Sequence, residues 1–200
     1  MNRRDFGKIT GVALAAVCMG SAAHAQDAGG DSIFDVLQRR HSVRAYTDKP
    51  ISDQDMEKIL RCAMMAPSAA NEQPWEFIVI KDAEILKHIG EINHYASYAA
   101  KAPAAVLVCL NTQKEKIKGM GILDMGICSE NLMLAATGLG IGSVFTGIYP
   151  FEDRMAGFSR LCALPDYVQP IGLIVLGYPA ITQHTPPDRF NAAAIHINKW

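Results

Sequence analysis

"APSAANEQPWEFIVI", residues 66–80, changes its periodicity halfway along. Just upstream, Met56, Ile59, Leu60 and Ala63 recur at helical spacing. From Trp75 onward, aromatic and β-branched residues run as in a strand. Pro67 stops the helix, because a proline ring disfavours continued helical backbone before it. Asn71-Glu72-Gln73-Pro74 then leads into the strand at Trp75. A short loop of small and polar residues thus joins a helix to a sheet.

Working outward, "SIFDVLQRR" (32–40) reads as a helix with capping-box spacing at Ser32 and Asp35. "SDQDMEKILRCAMMAPS" (52–68) is a second helix, capped by Ser52 and Asp55. After the strand at 75–81 come a helix at 83–92 and a buried strand, "AAVLVCL" (104–110). "GILDMGICSENLMLAATGLG" (121–140) is a long helix, apolar on most sides, which must bury itself inside the domain or against a second subunit. "GSVFTGI" (142–148) is a strand, "FEDRMAGFSRLCAL" (151–164) a helix, and "PIGLIVLGYP" (170–179) a fourth strand. Helices and apolar strands alternate without strict βαβ regularity. The fold class is therefore α+β, a sheet with helices around it.

The N-terminus reads as a targeting segment. Arg3, Arg4, Phe6 and Lys8 precede a short apolar stretch ending in Ala23-His24-Ala25, an A-x-A cleavage pattern. The paired arginines resemble a twin-arginine export signal, although Asn2 and Gly7 depart from the usual pattern. The expected organisation is an export signal at 1–25, a linker at 26–31 and one domain at 32–200, with a periplasmic or exported destination. The apolar stretch is short for a membrane span, so no stable membrane insertion is expected. A net charge of −1 gives no basic nucleic-acid surface. Cys62, Cys109, Cys128 and Cys162 each lie in an apolar run and read as buried free thiols.

Several motifs fail on context. "GLGIG" (138–142) follows a helix and opens a strand, the reverse of a dinucleotide loop, and reads as a glycine-capped helix end. The histidines show no metal-ligand spacing. "EKIKG" (115–119) reads as a solvated loop, and the whole segment 111–122 as a lid on the substrate side.

"RRHSVRAY" (39–46) gathers Arg39, Arg40 and Arg44 around His41 and Ser42. A guanidinium fork beside a hydroxyl suits a phosphate group. Cations at a helix C-terminus are mildly favourable anyway, so this segment alone fits a solvated helix end equally well. "RRHSVRAY", "APSAANEQPW", "TGIYP" (146–150) and the closing "IHINKW" (195–200) stand in the order and spacing of the FMN-dependent nitroreductases. The chain resembles that family over about residues 32–200.

The resemblance implies a nitroreductase-like sandwich with a central, mainly antiparallel sheet, built as an intertwined homodimer. FMN would lie at the subunit interface, with helix 120–138 as the dimer interface and the C-terminal arm embracing the partner. By motif, Arg40 and Ser42 would hold the FMN phosphate and ribityl chain, with His41 beside them and Arg189 reaching in from the arm. Arg44 would stand near the pyrimidine edge, where a cation stabilises charge on the reduced ring. Pro67, Ser68 and Asn71 would contact the isoalloxazine, and Thr146 and Gly147 would face its N5 side. Electrons would pass from NAD(P)H or another donor to nitroaromatic, quinone or similar flat acceptors. No protein catalytic residue and no metal are implied. Other flavin reactions, such as reductive dehalogenation, and flavin binding without turnover remain alternatives at this point.

Overall fold

The computed structural model describes residues 32–200. The expected export signal (1–25) and the linker (26–31) lie outside the described residues. Helix α1 (Ile33–Arg39) starts at Ser32, whose Oγ accepts the Asp35 N–H while the Asp35 carboxylate accepts the Ser32 N–H. Two otherwise orphaned donors are thereby satisfied. Helix α2 (Asp53–Ala63) is capped by Ser52 in the same way on one side, and its face of Met56, Ile59 and Ala63 is buried. α2 ends at Ala63, three residues earlier than a Pro67 stop implies, because Met65 and Ala66 close a turn onto Cys62 and Ala63.

Strands β1 (Trp75–Ile80), β2 (Ala104–Asn111), β3 (Gly142–Gly147) and β4 (Val168–Gly177) form one antiparallel sheet in the order β1-β2-β4-β3. Alternate residues of a strand point to opposite faces. Ala104, Val106, Val108 and Leu110 accordingly join Ile59, Met125 and Leu132 on the side of α2 and α4 (Gly121–Gly138). Ala105, Leu107 and Cys109 join Ile89 and Phe158 on the other side, with α3 (Ala83–Ile92) and α5 (Glu152–Leu161). Both faces of β2 are covered, which is why its sequence is apolar without alternation. Ile59 is fully buried in the first of these layers, so truncating it to Ala costs about 2–5 kcal/mol.

Helix α3 stands where expected, and two features beyond it were not read from the sequence. Asp82 caps α3 through the Glu84 and Ile85 N–H groups. A 3-10 helix over His94–Lys101 buries Ala96 and Ala99. The glycine-rich stretch after α4 is a helix end as expected: Gly140 adopts φ 72, and the Ile141 N–H returns to the Ala136 carbonyl. Among the described residues the four cysteines are free, but not all are buried. Burial pushes the Cys109 and Cys128 thiols up to about 12, so they are inert core groups. Cys62 instead lies on the outer side of α2 and is exposed, because the apolar face of that helix turns away from it.

Candidate functional site

The segment 39–46 is fastened along the sheet. The Val43 N–H donates to the Ser143 carbonyl on β3, the Ala180 N–H to the Ala45 carbonyl, and the Thr47 N–H to the Tyr178 carbonyl. β3 is a sheet edge, so the parallel bridge between Ser42 and Ser143 supplies backbone partners that the sheet lacks there. Gly142 makes this approach feasible: a Cβ there would stand 2.8 Å from the Val43 side chain.

Arg40 is half-buried, and its Nε lies 3.0 Å from Glu130 Oε1 on α4. His41 Nδ1 lies 2.8 Å from the Arg39 carbonyl. A carbonyl only accepts, so this nitrogen carries the proton. The His41 ring stacks on His184, centroids 3.6 Å apart and planes 15° apart. Partial desolvation, then His41 and Arg189, push the His184 imidazole below its usual range. Arg40, His41, His184 and Arg189 line one cavity of about 460 Å³, together with Asp188 and the prolines of the arm. Ser42 and Arg44 are exposed on the same segment. The two guanidinium groups of this cavity are the donors that suit a phosphate monoester.

The loop after α2 is held by other means. Ala70, Asn71 and Gln73 adopt φ of 48, 54 and 50. Left-handed backbone costs a non-glycine residue about 1–2 kcal/mol. Three anchors hold it: Ser68 Oγ accepts the Gln73 N–H at 2.9 Å, Asp124 Oδ1 on α4 accepts the Ala69 N–H at 3.1 Å, and Glu72 accepts two N–H groups of the 111–122 segment. Asn71 is exposed, and its Oδ1 accepts from Gln73 Nε2. Pro67 is exposed beside it.

Thr146 is buried and its hydroxyl meets the Tyr98 hydroxyl. The Gly147 carbonyl accepts from Arg154, whose guanidinium lies over the Phe151 ring. A register shift between Val108 and Cys109 skips Ile171 of β4, and the freed Ile171 carbonyl accepts the Ile148 and Tyr149 N–H groups. The bulge thereby re-aims the chain just after Gly147.

The structure thus brings Arg40, His41 and Arg189 into one cavity. Ser42, Arg44, Pro67, Ser68, Asn71, Thr146 and Gly147 do not line that cavity. The segment 115–119 is not a plain solvated loop: Glu115 is buried, and its Oε1 accepts the Gly119 and Gly121 N–H groups. Sequence reading missed Glu130, Asp124, His184, Glu72 and Arg154. Asp124 and Glu130 carried a signal, as the only charged residues in α4. Among the described residues, no group of three or more His, Cys, Asp or Glu side chains could hold a metal ion, and no helix is long and apolar enough to cross a membrane.

The nitroreductase family model matches residues 37–118 and 96–178, which together contain the cationic segment, the strained loop and all four strands. The chain belongs to the nitroreductase family. It is 42% identical over 168 residues to a protein of Methanothermobacter thermautotrophicus named NADH dehydrogenase/NAD(P)H nitroreductase, covering 84% of this chain and 87% of that one. A Parabacteroides distasonis crystal structure of a protein with the same name superposes with a TM-score of 0.81 at 34% identity, over 85% of this chain and 99% of the other. An FMN reductase [NAD(P)H] of Bacillus subtilis is 28% identical over 168 residues, 75% of this chain and 67% of its own.

Proposed function

We propose that the chain is an FMN-dependent oxidoreductase of the nitroreductase type. It transfers two electrons from NAD(P)H, or another donor, to a flat acceptor such as a quinone or nitroaromatic. The observation that carries this reading is the cavity shared by Arg40, His41, His184 and Arg189. Its guanidinium donors match a flavin phosphate, and the assignment of Ser68–Asn71 and Gly147 to the ring rests on the sequence motifs. When bound, FMN supplies the two-electron chemistry. The protein's own residues bind and orient it. Arg40, Ser42 and Arg189 would hold the phosphate, the Ser68–Asn71 loop would contact the ring, and Arg44 would offset charge at its pyrimidine edge.

The proposal includes a homodimer. Ile33, Phe34 and Leu37 on α1, Leu123 and Ile127 on α4, and Phe190, Ile197 and Trp200 on the arm are all exposed in one chain. Apolar surface on this scale suits a second copy. Export by the twin-arginine route belongs to the same proposal and rests on residues 1–25 of the sequence alone.

The test is an anaerobic titration of purified protein loaded with FMN. NADH or NADPH should bleach the flavin, and a quinone should restore its colour. For each turnover, quinone, NAD(P)H and one proton give hydroquinone and NAD(P)⁺. Loaded protein that neither pyridine nucleotide reduces, while dithionite does, would refute NAD(P)H as donor. Dithionite-reduced protein that no quinone or nitroaromatic reoxidises would refute the acceptor class.

A further inference from the structure

We propose that Glu72 is a positioning residue that latches the segment 115–121 onto the strained loop carrying Asn71, and so sets the size of acceptor the site admits. The second half of this proposal rests on the flavin reading above. Glu72 Oε2 accepts the Lys116 N–H at 2.8 Å and Oε1 the Ile117 N–H at 3.0 Å. One carboxylate thus binds two consecutive amides across the gap between loops. Charge-assisted bonds of this kind are the stronger class.

The segment it grips is itself preformed. Glu115 Oε1 gathers the Gly119 and Gly121 N–H groups, and Lys118 Nζ stands 3.6 Å from Glu115 Oε2. Glu76 adds a tie from β1 through Lys114 Nζ at 2.7 Å and Asn111 Nδ2 at 3.0 Å. The segment is therefore stiff at both ends, and Glu72 joins it to Ala70, Asn71 and Gln73 in their left-handed conformations. Moving the 115–121 segment away from the Asn71 loop requires breaking the two Glu72 bonds. Ile117 and Met120 are exposed on this segment and give it an apolar surface for a flat acceptor.

The test uses the full chain as holoenzyme, with Glu72→Ala and Glu72→Gln. Amide hydrogen exchange at Lys116 and Ile117 should accelerate by about tenfold or more in E72A, with E72Q between it and the wild type because one acceptor oxygen remains. Any change in FMN affinity or in kcat for benzoquinone is common to both acceptors and cancels in the ratio of their KM values. KM for a quinone bearing a bulky substituent should fall relative to KM for benzoquinone, again less in E72Q than in E72A. Unchanged exchange at both amides would overturn the latch. Faster exchange with an unchanged ratio of the two KM values would overturn its role in acceptor size. If E72A does not fold, as circular dichroism would show, E72Q decides both points. A wild-type chain that takes up no FMN would refute the flavin reading, and the exchange measurement would still decide the latch.

Discussion

Arg40 Nε and Glu130 Oε1 lie 3.0 Å apart, joining the cationic segment to the one carboxylate in the second half of α4. Both side chains are partly exposed, so the pair is worth about 0–1 kcal/mol. Glu130 holds the guanidinium at the cavity and also competes for it. Glu130→Gln removes the competitor while leaving a hydrogen-bond acceptor. FMN affinity should rise up to about fivefold, and riboflavin affinity should not change. Flavin fluorescence quenching measures both. An equal change for the two flavins would place Glu130 away from the phosphate.

Gly142 fixes how closely residues 42–43 approach β3. Gly142→Ala drives a methyl group into Val43, at 2.8 Å from its Cβ. The overpacking should cost about 1–3 kcal/mol in urea unfolding. It should also weaken FMN binding, since Ser42 moves with Val43. Loss of stability with FMN affinity intact would uncouple this contact from the site.

Asp124 supports the strained loop from below. Its Oδ1 accepts the Ala69 N–H, while Oδ2 is buried with no partner among the described residues. Asp124→Ala should destabilise the fold by about 1–3 kcal/mol. Asp124→Asn, which keeps an acceptor for Ala69, should lose less. Chemical denaturation with both variants distinguishes a lost hydrogen bond from a lost charge.

The segment 111–121 should be one acid-sensitive part of the structure, besides the depressed carboxyls of Asp35, Asp53 and Asp55. Desolvation pushes the Glu115 carboxyl up, but the Gly121 and Gly119 N–H groups and Lys118 outweigh it and hold the group below the ordinary carboxylate range. The Lys114 and Asn111 hydrogen bonds hold Glu76 down likewise. A carboxyl with a depressed folded value contributes stability above its unfolded value and loses it as pH falls through the folded one. Stability should therefore decline on acidification below the ordinary carboxylate range. Glu115→Gln should flatten that decline, measured as urea midpoints across the acid range. An unchanged pH profile in the variant would contradict the assignment.

Much of this architecture is written locally. Ser32, Ser52 and the spacing of Met56, Ile59 and Ala63 announce α1 and α2 because caps and helical faces need only near neighbours. β2 and β4 announce themselves as apolar runs because both faces of the sheet are covered. Strand order and the bulge at Ile171 depend on long-range pairing and leave no local mark. The same division holds at the site. Arg40, His41 and Arg189 were legible as motif positions, and the fold brings them to one cavity. Glu72 and Glu115 were not legible, because a carboxylate that collects backbone N–H groups from a distant loop looks in sequence like any surface acid. His184 stood in a proline-flanked tail with no periodicity to place it.

The central claim is that the cavity between residues 40–41 and 184–189 receives the phosphate of FMN. Isothermal titration of the wild type and Arg40→Ala with FMN and riboflavin tests it most directly. The wild type should bind FMN far more tightly than riboflavin. R40A should lose about ten- to a hundredfold in FMN affinity with riboflavin unaffected, as expected for a charge-assisted bond. Equal affinity of the wild type for the two flavins, or an R40A variant that binds FMN as the wild type does, would contradict the account.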